Sequence, residues 1–205
     1  MLDEQSVRAN LAPAPLSQLD PKQEQNYRPV TVQGRWDSRY FLLENRVNKG
    51  RPGYEVLALF MANDQNVLVN RGWVQGSLDR TLLPEVNFES DELVLNGYAY
   101  RSKSKPFTLG EPVWTDTWPE RIQSIDWQQI QSRLDDEIYP YLVRLNSASN
   151  EALVTGWPVV NLPPRRHVGY AIQWFALATA LLILTLIANS NFGVLVKYRF
   201  GKNID

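Results

Sequence analysis

The chain has 205 residues, with 21 Lys/Arg against 22 Asp/Glu, no cysteine and one histidine. That length holds one domain plus an appendage, and the near-neutral balance excludes the strongly basic face of a typical nucleic-acid binder. The missing cysteine excludes disulfides, thiolate metal sites and cysteine nucleophiles, and a lone histidine excludes a multi-histidine metal site built from this chain alone.

Residues 1–26 are polar and carry Pro13, Pro15 and Pro21, so they read as an arm or linker. From Val30 the pattern changes. Val30, Val32, Gly34 and Trp36 alternate with polar neighbours, which is the period of a strand. Tyr40–Leu43 reads as a second short strand, and Lys49-Gly50-Arg51-Pro52-Gly53 as a turn. Tyr54–Met61 and Asn66–Val74 come next as strands, with Asn63-Asp64 as the hairpin signal between them. Leu93–Tyr100 is another strand. Asp126 is placed to N-cap a helix running to about Leu134, because its carboxylate can accept from the free N–H groups of the first turn. Tyr139–Leu145 is a late strand, and Trp157–Pro164 an extended, proline-closed lead into a long apolar stretch. Short strands at regular spacing with little helix point to an α+β, antiparallel, β-rich and barrel-like domain.

No charge interrupts Val168–Val196, and Val168–Ala188 is apolar enough and long enough for a transmembrane helix. Tyr170 and Trp174 near one end, and Phe192, Tyr198 and Phe200 near or beyond the other, fit interfacial aromatic belts. The chain therefore divides into a polar arm or linker (1–26), an extramembrane β-rich domain (27–164), a transmembrane helix (165–190) and a basic tail (191–205). Residues 165–205 carry 5 Lys/Arg against 1 Asp/Glu, whereas the body is acidic. The positive-inside rule then places the tail in the cytoplasm or matrix and the body on the opposite side. The N-terminus shows no apolar run to start export of that body, so this orientation calls for an upstream helix that the chain as given does not carry.

Neither a dinucleotide-binding glycine fingerprint nor a P-loop occurs, and no G-x-S-x-G elbow accompanies the histidine. Asp135-Asp136-Glu137 lacks the spacing of a calcium loop and reads as a solvated face. Two places invite a functional reading. Asn70-Arg71-Gly72-Trp73-Val74 closes an apolar strand. Gly72 suits a bulge or close backbone approach and Trp73 suits the core, and physics favours that packing role over a partner surface built by Arg71 and Trp73. His167 comes after Pro163-Pro164-Arg165-Arg166 and opens the apolar helix. It is either an interfacial polar residue beside two arginines or an axial haem-iron ligand, with Arg165 and Arg166 meeting propionates and Tyr170, Trp174 and Phe175 packing a porphyrin face.

Four ordered segments carry a family resemblance. Tyr27–Asp37 (YRPVTVQGRWD) is the first. Leu42–Arg46 (LLENR) with Gly50–Leu57 (GRPGYEVL) is the second, Val67–Trp73 (VLVNRGW) the third, and Pro163–Phe175 (PPRRHVGYAIQWF) the fourth. Together they resemble the surfeit locus protein 1 family, assembly factors for haem–copper cytochrome c oxidase, over about Tyr27 to Ala188. The resemblance implies a non-enzymatic helper of oxidase subunit I, with its body outside the cytoplasm between two transmembrane helices. That places it in a bacterial inner membrane with the body facing the periplasm. It also implies haem a as cofactor in some members and the haem a synthesis or delivery machinery as a partner beside subunit I and the lipid bilayer. The family's histidine at the body–membrane junction matches His167, which inherits the iron-ligand role, with Arg165, Arg166 and Trp174 beside it. A purely structural chaperone of subunit I that binds no haem, and a membrane-tethered periplasmic enzyme, are the competing readings. The missing nucleophile constellation argues against the enzyme.

Overall fold

In the computed structural model, the described residues are 7–63, 65–79, 81–89, 91–102, 114–157 and 164–189, with backbone only for 164–168. They divide into two compact units, Met1–Gly156 and Trp157–Asp205.

The body is a seven-stranded sheet: β1 Ala14–Pro15, β2 Pro29–Asn48, β3 Arg51–Ala62, β4 Asn66–Gln75, β5 Leu93–Tyr100, β6 Glu120–Ile122 and β7 Leu142–Leu145. A 3-10 turn, Leu16–Gln18, comes directly after β1, and helix α1, Trp127–Leu134, precedes β7. Pairings run β2–β3–β4–β7–β5, and β5 pairs again with β2, so the circuit returns to its first long strand. It is not a clean antiparallel barrel. β1–β2, β2–β6 and β4–β7 are parallel, so the sheet is mixed. The stretch before β2 is tied to the sheet, with Ala14 opposite Val30 and Leu16 buried.

The two short strands read at Val30–Trp36 and Tyr40–Leu43 are one 20-residue strand. Local irregularities let it serve two neighbours. Between Trp36 and Tyr40 the register against β3 slips, and Asp37 accepts the Arg39 N–H at 2.8 Å within the slip. A second slip lies between Leu43 and Arg46, where Asn45 takes φ 58°, a conformation asparagine tolerates. These bulges bend the strand. Its first half faces β5 over Pro29–Gly34, while its pairing with β3 runs from Gly34 to Asn48. The β2–β3 turn is two residues long. Lys49 and Gly50 have φ 48° and 79°, the positive pair that a tight hairpin requires.

The apolar runs of β3 and β4 lack strict alternation because both faces of this part of the sheet are covered. On one face Val30, Val32, Trp36, Val56, Ala58, Phe60, Val67, Val69, Leu95 and Val143 form the larger core. On the other, Phe41, Leu43, Leu57, Leu59, Leu68 and Leu142 meet Ile130 and Leu134 of α1. Helix α1 starts where its sequence says it should. The Asp126 carboxylate accepts the N–H groups of Gln128 and Gln129, at 3.0 and 3.3 Å. At the other end Asp135 is left-handed, and the Arg39 guanidinium donates to the Leu134 carbonyl at 2.8 Å.

The second unit contains helix α2, Pro164–Asn189. Its Gly169–Asn189 stretch is long and apolar enough to cross a membrane. Thr179, Thr185 and Asn189 turn their polar groups onto the helix itself. The hydroxyls of Thr179 and Thr185 donate to the Phe175 and Leu181 carbonyls at 2.8 Å, and the Asn189 amide to the Thr185 carbonyl at 3.0 Å. Threonine hydroxyls satisfied within the helix in this way can sit in lipid without an unpaired hydrogen.

Replacing Asp126 by alanine removes the acceptor for two first-turn N–H groups. The expected cost is about 1 kcal/mol, a fall of about 2–4 °C in melting temperature, measurable by thermal denaturation monitored by circular dichroism.

Candidate functional site

The Asn70–Trp73 motif closes β4, and each of its side chains has an internal task. Val56 lies opposite Gly72, but Leu57 lies opposite Asn70, so Arg71 is the extra residue of a bulge. Gly72 has φ 121°. A Cβ there would stand 2.8 Å from the Val154 carbonyl oxygen, so glycine is required twice, for conformation and for space. The close approach is itself a pairing. The Trp73 N–H donates to the Val154 carbonyl at 2.7 Å and the Leu153 N–H to the Arg71 carbonyl at 2.8 Å.

The bulge turns Arg71 inward. The residue is 6% exposed. Its Nε donates to the Glu151 carbonyl at 2.8 Å, one terminal nitrogen donates to the Asn87 carbonyl at 2.8 Å, and the other lies 3.0 Å from the Glu151 carboxylate. The guanidinium carbon sits 5.1 Å from the Trp36 ring centre and 5.0 Å from that of Phe88. The same Glu151 oxygen, Oε2, accepts the Trp36 indole N–H at 3.0 Å. Burial pushes the guanidinium pKa down from its ordinary value, and the negative charges of Glu151 and Glu89 pull it back up. Arg71 therefore does not offer its charge at the surface. Trp73 is half-buried, and its indole N–H donates to the Arg46 carbonyl at 3.0 Å. Asn70 is fully buried, accepting the Gly72 N–H at 3.0 Å and donating to Glu55 at 2.6 Å.

A second buried charge stabilises the other face. Glu120 is buried and receives two bonds from Arg133, at 3.0 and 2.8 Å, with the Thr115 N–H at 2.9 Å. Nothing in the local pattern marks Glu151 or Glu120. Each lies in a polar stretch, and the partner arginines stand 80 residues away for Glu151 and 13 for Glu120.

Arg165, Arg166 and His167 fall in the first turn of α2, and their side chains lie outside the described residues. Tyr170, Trp174 and Phe175 are exposed on the helix. Trp174 is seven residues after His167, two turns along the same side of an α-helix. Within the given sequence His167 is the one histidine, and it lies on this helix.

Comparison with known proteins covers the resembling segments and extends to residues 2–26 before them. The profile of the SURF1 family matches residues 2–179. A SURF1-like protein of Rickettsia felis is 19% identical over 192 residues, covering 91% of this chain and 84% of the relative.

Gly72→Val is expected to cost about 1–3 kcal/mol through backbone strain. Arg71→Met leaves the Glu151 carboxylate buried and unpaired and is expected to cost more, about 3–5 kcal/mol. Thermal unfolding measures both. Unchanged melting with lost cellular function would instead make this motif a contact surface.

Proposed function

The chain belongs to the SURF1 family, and from that premise we propose that it is a membrane-anchored assembly factor for haem–copper cytochrome c oxidase. It assists maturation of subunit I and holds haem a at His167 during transfer. The observation that carries this reading is one family match running continuously from the body into an apolar helix fit to cross a membrane. Its cargo role needs a ligand, an apolar wall and a cationic rim. The donor chemistry fits: His167 is the chain's one imidazole and lies in the first turn of α2 beside Arg165 and Arg166. The exposed rings of Tyr170 and Trp174 supply aromatic surface for a porphyrin edge. Iron held by imidazole supplies a bond that a better-ligated acceptor can take over. The chain's own part is to bind and orient the macrocycle at the membrane boundary. The buried charges of the body support a scaffold role, since Arg71 and Glu151 pair with each other and Glu120 with the half-buried Arg133.

His167→Ala is expected to abolish the Soret band of protein co-expressed with haem a synthesis while membrane insertion persists, and His167→Asn should behave alike because an amide is a poor iron ligand. Full haem with an unaltered spectrum in both variants would leave a chaperone of subunit I that carries no haem.

The topology in this reading places the body in the periplasm and residues 191–205 in the cytoplasm of a bacterial inner membrane, the orientation that the basic tail favours. Alkaline phosphatase fused after Asp205 at the native locus should be inactive. Strong activity would reverse the orientation.

A further inference from the structure

Several large apolar side chains that neither core uses stand together at one end of the body. Val47 is 69% exposed, Leu82 60%, Val154 52%, and Leu78 is fully exposed. The register collects them. Val47 lies opposite Pro52 beside the β2–β3 turn, and the Pro52 carbonyl accepts the Gly76 N–H at 3.2 Å. Leu78 comes two residues later, and the Leu82 N–H folds back onto the Asp79 carbonyl at 3.2 Å. Val154 is bridged to Trp73 near the end of β4. Isolated exposed apolar residues are ordinary on any protein, whereas a group at one end of a sheet marks a contact surface.

Charge separates the two ends of the body. The turn at this end exposes Lys49 and Arg51. Of the acids here, Glu55 is paired with Arg46, while Asp79 keeps its charge, its carboxylate accepting the Thr81 N–H and hydroxyl at 2.9 and 2.7 Å. The opposite end, where Gln33 and Asn66 lie, exposes Glu92, Asp91 and Glu137 against Arg35, a net negative balance. The chain also departs from the sheet at the basic end. Val154 is held to Trp73, and α2 begins ten residues later.

We propose that this end of the body, the Lys49–Gly50–Arg51 turn with Val47, Leu78, Leu82 and Val154, is a lipid-contacting surface that rests in the headgroup region of an anionic bilayer. The apolar side chains enter the interface, as amphipathic surface elements do to a depth of about 5–10 Å. Lys49 and Arg51 meet anionic headgroups, and the acidic end is kept away from them. The proposal rests on α2 spanning the membrane, and the test reports that separately.

The native chain has no cysteine, so a single introduced cysteine takes a spin label at one site only. Full-length Leu78→Cys, Val94→Cys and Leu181→Cys variants are labelled and reconstituted in vesicles of phosphatidylethanolamine and phosphatidylglycerol. Val94 is the matched control, 59% exposed but paired with Gln33 at the acidic end. Leu181 lies on α2 and reports insertion. Collision with oxygen is compared with collision with a water-soluble nickel chelate. The oxygen-to-nickel ratio at position 78 is expected to be several-fold higher than at position 94, and to fall toward it when Lys49→Glu and Arg51→Glu are added. Equal ratios at 78 and 94, with 181 in lipid, overturn the surface and leave the anchor standing. A label at 78 that is aqueous in vesicles and becomes shielded from both reagents only when oxidase is added marks a protein contact and also overturns it. An aqueous label at 181 removes the anchor and the proposal together.

Discussion

The body is organised around a guanidinium that has been taken out of water. Arg71 sits in a strand whose neighbours are buried, and its donors must all find acceptors there. The Glu151 carboxylate and carbonyl and the Asn87 carbonyl give each of its three nitrogens one acceptor, while Trp36 and Phe88 lie against its faces. Satisfying one charge thus joins β2, the loop before β5, β4 and the segment after β7. The Gly72 bulge is the backbone device that aims the side chain inward. The packing of Val154 against that glycine then determines where the chain leaves the sheet. Such a pair is weak evidence for stability, since its desolvation is costly, but it penalises any arrangement that leaves either partner alone.

The opposite face repeats the arrangement in smaller form. Glu120 on β6 is buried beneath Arg133 of α1, and Trp118 lies against that guanidinium at 4.9 Å. The pair fixes the helix over Phe41, Leu57 and Leu68, which covers this face of the all-apolar run of β3. Both ends of α1 are also tied down, by Asp126 at its start and by Arg39 at its last carbonyls.

The two units divide the labour that the proposed function requires. The body's described buried charges are paired internally, which suits a scaffold that docks rather than reacts. The helix carries the chain's one imidazole and satisfies its own hydroxyls, which suits a span that presents a ligand at a boundary between water and lipid.

Where a feature depends on neighbours in sequence, the chain alone determined it. Leu93–Tyr100 and the Asp126-capped helix ending at Leu134 lie where pattern and capping chemistry put them, and Gly72 forms the bulge that its position in an apolar strand suggests. The apolar stretch of α2 was equally plain, because membrane thickness acts on a contiguous run of residues. Tertiary structure decided the rest. Two apparent strands became one β2 because the bulge at 37–39 bends a strand without ending it. Parallel pairings replaced part of the antiparallel sheet because β7 reaches β4 from far along the chain, where no hairpin dictates direction. The burial of Arg71 was invisible for the same reason. A charged side chain enters a core only when its partner is already there, and the residue that makes this possible, Glu151, is 80 positions away.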